Sequence, residues 1–406
     1  GGVFWLSPAP ACGPTAPGAP GARGGGGGPG AGAGPGRGGA GRRSLEAALE
    51  ALAGQGYPAP LQVIFCLEED DAAARDAVQG LEAVRRGKAA VVAVPPHPFR
   101  TGKGSNLAGG ASAALHPWLA WMDADVEPGP GFLPRLCAPL VRPGVGCAFA
   151  FPFHRGARGL TAAALALFVN VRGLTDFLPP ALSGRRPTFL AGAAVAVRRE
   201  ALESMGGAEA LAGRLADDIR LGELLGARGW RIQPARTPAW CAAGSPGPRG
   251  FWARLRRWML GARLQMPRLH AASGLRLGAL WALFCLGLGA AGLALAPGQV
   301  GPGAAVGPTA SPAGTAAVLI LGAAAWGVFR AGAAAAVGLI LEEASTLRWC
   351  WLAPAVDVAW AAAWIGSWFG RSVEWAGVRY RLGPGGTVAR LLPRVPAVGG
   401  RRSCPR

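Results

Sequence analysis

Apolar and polar positions change period several times along this chain, and each period predicts a different element. "LQVIFCL" (61–67) is a short, partly β-branched apolar run of the length of a buried strand. "AAVVAVP" (89–95) and "WLAWM" (118–122) repeat that pattern. Between the first two, "DAAARDAVQGLEAVRRG" (71–87) spaces its apolar residues three and four apart, which predicts a helix closing at Gly87. "NLAGGASAAL" (106–115) predicts another, and "SLEAALEALAGQGYP" (44–58) a capped helix before the first strand. Strands alternating with helices predict a parallel, doubly wound α/β sheet, with ligands beyond the carboxyl ends of the strands. Asp70, Asp71, Asp123 and Asp125 all fall at such predicted ends.

A second pattern begins after residue 270. No charged residue occurs from Leu277 to Phe329, 53 positions with a Pro/Gly-rich break near 297–312. A membrane crossing takes about 20 apolar residues. The stretch therefore predicts two transmembrane helices, 277–296 and about 313–335. A third apolar segment, 349–369, carries Asp357 and five tryptophans. Tryptophan favours the membrane interface and an intramembrane carboxylate is costly, so this segment either spans or lies re-entrant. The basic tail favours the cytosolic side; with a cytosolic catalytic domain the number of crossings is even, and on that argument the third segment is expected not to span.

Four regions follow: a Gly/Pro-rich segment over 1–43, expected to be disordered; a catalytic α/β domain over 44–270; membrane-associated helices over 271–370; and a basic tail over 371–406. The chain opens on Gly1 rather than Met, as a fragment would, and no strand-like sequence is read before Ser44.

Composition changes this picture little. The 406 residues suffice for one large domain or two smaller ones. The formal charge of +19 suggests a nucleic-acid partner, yet the excess sits at the ends. Residues 1–43 hold four Arg and no acid, and residues 371–406 hold eight Arg and one Glu. A basic tail suits a membrane surface equally well, and no nucleic-acid recognition module accompanies it. The eight cysteines are scattered singly without a CxxC pair, which argues against a zinc site or a disulfide framework.

Five features carry chemistry, in order: "EEDD" (68–71), "GKGSNLAGG" (102–110), "DAD" (123–125), "ADDIRLG" (216–222) and "RLRRW" (254–258). Carboxylates two apart, Asp123 and Asp125, can converge on Mg²⁺ or Mn²⁺ shared with substrate phosphates; the bland alternative is a solvated turn. Asp217 or Asp218 is a candidate general base, or else an acid placed for the dipole at a helix start. Arg254, Arg257 and Trp258 can hold a diphosphate and stack near an acceptor, or simply form a basic amphipathic helix at a membrane surface.

Taken together, these features resemble family 2 glycosyltransferases, most closely the ceramide glucosyltransferase branch, with hopanoid-linked glycosyltransferases as near relatives. The ordered set covers roughly residues 44–385. "RLRRW" matches the (Q/R)xxRW motif at Arg254, Arg257 and Trp258, and "KxSNL" matches at Lys103, Ser105, Asn106 and Leu107. "GARGWRI" (226–232) and the tail "VEW.G.RYRL" also match. The resemblance implies a GT-A type doubly wound mixed sheet followed by C-terminal transmembrane helices. It implies nucleotide-sugar binding by Asp70, Asp71, Lys103, Asn106, Asp123, Arg254, Arg257 and Trp258, a divalent cation at Asp123 and Asp125, and catalysis by Asp218 with Asp217 beside it. The implied reaction is inverting transfer of glucose from UDP-glucose to the hydroxyl of ceramide. The implied setting is an integral membrane protein of the Golgi or ER, or of a bacterial inner membrane, with a cytosolic catalytic domain. The family's usual N-terminal helix and first strand, which lines the uracil pocket, have no counterpart in this reading, and Ala72 replaces the expected proline after the first acidic pair. A processive β-glycan synthase and a non-catalytic membrane protein on a glycosyltransferase scaffold are the alternatives.

Overall fold

A computed structural model describes residues 3–8, 51, 54–173, 189–244, 246–295, 312–375 and 378–391. In chain order the elements used below are β1 (Val3–Pro8), β2 (Leu61–Glu68), α1 (Ala72–Gln79), β3 (Ala90–Val94), α2 (Gly102–Ala113), β4 (Trp118–Asp123), β5 (Val145–Phe149), β6 (Pro152–Arg155), α3 (Leu160–Leu167), β7 (Ala194–Arg198), α4 (Asp217–Ala227), β8 (Arg231–Pro234), β9 (Ala239–Ala242), α5 (Pro248–Gln265), α6 (Gly278–Leu295), α7 (Pro312–Ile340), α8 (Ala353–Ser367), β10 (Ser372–Trp375), β11 (Val378–Leu382) and β12 (Val388–Leu391).

Seven strands form the main sheet in the order β3-β2-β1-β4-β7-β5-β8. β2 and β3 pair in parallel, as do β5 and β8, whereas β1 and β7 run antiparallel to their neighbours. The sheet is therefore mixed rather than all-parallel. Both of its faces are covered, and the two-residue period of a strand decides which side chain goes where. Val63, Phe65 and Leu67 join Trp118, Ala120 and Met122 in one core. Ile64 and Cys66 join Leu119 and Trp121 in the other. The carboxyl ends of β2 and β4 then lie on one edge of the sheet, which brings residues 68–71 near residues 123–125.

One sequence expectation is corrected here. Residues 1–43 were expected to be disordered throughout, with no strand before Ser44, yet β1 occupies the middle of the sheet. Val3 pairs with both Cys66 and Asp123. Composition averaged over a Gly/Pro-rich region hides the six-residue run "VFWLSP". Its backbone satisfies the facing edges of β2 and β4, which would otherwise be unpaired. The rest of 1–43, and most of the helix expected over 44–58, lie outside the described residues. The helix expected over 71–87 is broken: α1 ends at Gln79 and a short turn of helix covers Glu82–Arg85.

α2 explains the glycines of "GKGSNLAGG". Thr101 caps the helix by accepting from the Gly104 N–H at 2.9 Å. A Cβ on Gly104 would stand 2.3 Å from the backbone oxygen of Ala212. Gly104→Ala is therefore expected to destabilise the fold by about 1–3 kcal/mol, as overpacking does. Gly226→Ala, where a Cβ meets nothing within 4 Å, is expected to be neutral or slightly stabilising. Thermal unfolding of the two variants beside the parent checks the contrast, and equal midpoints would contradict the packing argument.

α6 and α7 follow the uncharged stretch. Among the described residues one helix, Gly314–Ile340, is long and apolar enough to cross a membrane, and it faces almost entirely outward. Pro267–Ser273 and Gly278–Ala291, bent by 42° at their junction, pass the same test only as one broken span. α8 has 15 residues, about 22 Å at 1.5 Å per residue, short of a hydrocarbon core of roughly 30 Å. Its Asp357 is not left unpaired: Arg330 of α7 donates to both carboxylate oxygens, from Nη2 at 3.1 Å and from Nε. A bidentate ion pair offsets the desolvation that makes a lone carboxylate costly among apolar helices.

The tail carries structure of its own. β10, β11 and β12 form a three-stranded antiparallel sheet in that order. Val373, Tyr380, Leu382 and Val388 pack on Leu215 and Leu260. Backbone bonds tie the sheet down, from Leu215 N to Gly386 O at 2.9 Å and from Val388 N to Gly213 O at 3.1 Å. α5 thus has two sides: Leu260 meets this sheet, and Leu255 meets α7 and α8 in the apolar cluster. Residues 392–406 lie outside the described residues.

Candidate active site

Lys103 is the hub of the site. It stands on the first turn of α2, and its side chain is only 10% exposed. Its Nζ lies 2.9 Å from Asp123 Oδ1 and 3.4 Å from Asp217 Oδ2, and it donates to Gly192 O at 3.1 Å. Gly192 in turn donates its N–H to Asp218 Oδ2 at 3.2 Å. One cation therefore binds the end of β4, the loop before β7 and the start of α4 into a single cluster. A Cβ on Gly192 would stand 3.0 Å from the Cβ of Asp218, so the close approach favours glycine.

The start of α4 is held from a third direction. Gln265, the last residue of α5, clamps the Ala216 peptide: its Oε1 accepts from Ala216 N at 2.9 Å and its Nε2 donates to Ala216 O at 2.8 Å. Asp217 and Asp218 then occupy the first helical turn, where the dipole favours negative charge. Their environments separate them. Asp217 is buried and paired with Lys103. Asp218 is half-buried, and burial together with the neighbouring Asp217 charge raises its carboxyl to about 6, against the pull of Lys103 and of N–H groups on Ile219 and Gly192. A carboxylate so raised is still ionised at neutral pH and is a better proton acceptor than a free one.

Asp123 is likewise raised to about 6, by burial first, with Lys103 opposing and Asp125 reinforcing the shift. Burial alone would lower the Lys103 ammonium, but Asp123, Asp217 and Asp218 outweigh it and hold the group charged. Asp125 is exposed, and its backbone oxygen accepts from Ala242 N at 3.2 Å. No group of three or more acid, His or Cys ligands with metal geometry occurs among the described residues. Two hard carboxylates, one half-buried and one exposed, instead fit a cation that keeps several waters and shares substrate phosphates.

Asp70 and Asp71 lie in a different part of the same edge. Asp71 caps α1 by accepting from Ala74 N at 3.0 Å, so part of its role is structural. Glu68, Asp70, Asp71, Gly102 and Lys103 line a cleft of about 400 Å³, together with Trp375, Val378, Tyr380 and Arg390 of the tail sheet. Arg390 reaches Glu68 at 3.2 Å and Asp70 at 3.4 Å. Arg257 rests on Trp375, 4.3 Å from the ring centre. Burial lowers Arg257 to about 10, still charged at neutral pH, with Arg254 adding to the shift and Asp123, Asp217 and Asp125 opposing it. Of the three arginines of "RLRRW", Arg257 therefore lies within the field of the acid cluster, with Arg254 beside it.

Two expected site residues are placed elsewhere. Asn106 stands on the buried face of α2, 1% exposed, and does not line the cleft. Trp258 stacks on Phe168 with ring centres 5.2 Å apart and belongs to the apolar cluster beside α8. Conversely, Glu68, Trp375, Tyr380, Arg390 and Gln265 were not singled out from sequence. The tail motif containing Trp375 and Tyr380 was visible, but its position beside Glu68 was not. His154 of β6 is another addition: it is buried, and burial together with Arg254 lowers its imidazole to about 4, against Asp125, so it is neutral.

The family model for glycosyl transferase family 21 matches residues 41–388, most of the chain. The sequence motifs had set the chain beside family 2; the match is to family 21, over nearly the span that carries those motifs. A search of curated proteins finds no match.

Proposed function

The chain belongs to glycosyl transferase family 21, and we propose that it is a membrane-bound inverting transferase moving glucose from UDP-glucose to the primary hydroxyl of ceramide. Family 21 is the ceramide glucosyltransferase family, which agrees with the resemblance of the motifs. The observation that carries the reading is the cluster around Lys103: a raised, half-buried Asp218 beside a carboxylate pair at the end of β4, with the arginines of α5 near both.

In this reading Asp218 takes the proton from the lipid hydroxyl as its oxygen attacks the anomeric carbon, and the bond to UDP breaks on the opposite face of the sugar. Lys103 opposes the burial that raises Asp123, pairs with Asp217 and fixes the loop at Gly192, so that Asp218 keeps its aim. Arg254 and Arg257 attract the diphosphate. Asp123 and Asp125 would hold Mg²⁺ or Mn²⁺, which supplies neutralisation of the departing diphosphate. The α5 helix joins this cluster to the apolar helices, which supports a lipid acceptor reaching the site from a membrane surface. The cytosolic placement of the domain follows only from the distribution of arginine.

Transfer of radiolabel from UDP-glucose to short-chain ceramide, in membranes containing the full chain, tests the proposal, with UDP-galactose and UDP-N-acetylglucosamine as competing donors and a sterol or hopanoid as competing acceptor. A labelled lipid from ceramide and UDP-glucose is the expected product. Preference for another donor or acceptor would reassign the substrates, and incorporation into a polymer would favour the processive alternative. Chelation is expected to abolish transfer and added Mg²⁺ or Mn²⁺ to restore it. Asp125→Ala is expected to raise the cation concentration for half-maximal activity about tenfold, because one of two carboxylate ligands is lost. Activity indifferent to chelation and to Asp125 would remove the cation from the scheme.

A further inference from the structure

The cleft at the end of β2 is unusual in its source. Its floor comes from residues 68–72 and 102–103, but its outer wall comes from the tail, more than 270 residues later. Three acids on the floor, Glu68, Asp70 and Asp71, would on their own repel a nucleoside diphosphate. Lys103 and Arg390 are the cations that line the cleft against them. Arg390 makes ion pairs with both Glu68 and Asp70, and its side chain and that of Glu68 are 14% and 13% exposed. The backbone of the same residue is fixed by its bond to Pro98 O at 2.6 Å. Trp375 lines the cleft while Arg257 of α5 lies against its ring. Tyr380 also lines the cleft, largely buried, and bonds to the Gly102 backbone. A cleft of this volume, with a π-face, fixed carboxylate acceptors and two cations, has the chemistry of a nucleoside site.

We propose that the C-terminal sheet is an integral wall of the donor site: Trp375 stacks on the base of the donor nucleotide, and Arg390 holds the Glu68 and Asp70 carboxylates in place to accept from the base and ribose. Trp375 is thus a binding residue and Arg390 a positioning residue. The contact between Arg257 and Trp375 links this wall to the helix that faces the diphosphate, so nucleotide and phosphate recognition share one support. This inference rests on the proposed use of a nucleoside diphosphate sugar.

The test uses the full chain in lipid nanodiscs and equilibrium dialysis of labelled UDP. Trp375→Leu and Trp375→Phe both retain apolar bulk for the packing of the sheet, and only the second retains a π-face. The Leu variant is expected to bind UDP about tenfold more weakly, and the Phe variant within about threefold of the parent. Arg390→Ala is expected to raise the donor KM about tenfold with the acceptor KM unchanged, and Arg390→Lys to recover part of the loss. A parent chain that binds none of UDP, GDP and CDP would overturn the proposed function and this inference together. A parent that binds UDP, with Leu and Phe variants indistinguishable from it or donor KM unmoved by Arg390→Ala, would overturn this inference alone.

Discussion

Replacement of Asp218 by Asn is expected to lower kcat about 10³-fold while leaving UDP binding intact. A positioned general base contributes roughly 10²–10⁴-fold, and Asn keeps the shape of the side chain but cannot take a proton. The geometry supports a loss confined to chemistry. Asp218 accepts from Gly192 N and Ile219 N, and an amide oxygen can keep one of those bonds. The ion pairs of Lys103 with Asp123 and Asp217 do not involve Asp218. The parent should lose activity as pH falls through about 6, because the base acts only when ionised and its carboxyl is raised to that value. Asp217→Asn separates the two neighbouring acids. It removes the charge that helps raise Asp218, so the acid limb should move to lower pH while much of kcat survives. Initial rates across pH 5–8 for both variants decide the assignment. An Asp218→Asn enzyme with parental kcat, or an Asp217→Asn enzyme that is the inactive one, would refute it.

Lys103→Met should have the second largest effect, and on two properties at once. The substitution keeps most of the side-chain length and removes the charge that bridges Asp123 and Asp217. Asp123, Asp217 and Asp218 then lose the cation among them, and Asp123 and Asp218 lose a charge that lowers their carboxyl pKa values. Activity at pH 7 is expected to drop about 10²-fold, with the acid limb displaced to higher pH by at least about one unit. Stability should fall as well, since removing one partner of a buried pair costs about 3–5 kcal/mol. The sign with pH follows from linkage. Carboxyls raised in the folded state above their unfolded values favour folding while protonated, and that contribution is lost as pH rises through the raised value. The gap in unfolding temperature between parent and Lys103→Met should therefore be wider at pH 8 than at pH 5. A gap independent of pH, or an unmoved acid limb, would show that Lys103 does not carry the charge balance of the site.

Much of this cluster was legible in the chain because its parts are local. The acids stand where apolar runs stop, and apolar runs that stop make strand ends. Asp217 and Asp218 open an amphipathic helix, and the lysine stands between two glycines just after Thr101, the residue that caps its helix. Strands β2 and β4 were found nearly to the residue, since a fully buried strand must be apolar on both faces. The short strand β1 was missed because its six residues sit in a region whose average composition is that of an unfolded chain. The break after Gln79 was missed because the apolar spacing continues through Gly80 and Leu81 without registering the turn.

The sequence by itself determined the alternation of strands and helices, the uncharged stretch that becomes α6 and α7, and the residue types that carry charge in the site. Each of these depends on a period or a short spacing, which the covalent chain imposes directly. Only the tertiary structure decided which charges meet. Arg390 pairs with Glu68 across 322 positions, Gln265 clamps Ala216 across 49, and Arg330 finds Asp357 in another helix. It also decided that Asn106 turns inward and that Trp258 serves the apolar cluster. Coulombic and hydrogen-bond energies depend on separation in space and on burial, and neither quantity is written in the spacing of residues along the chain.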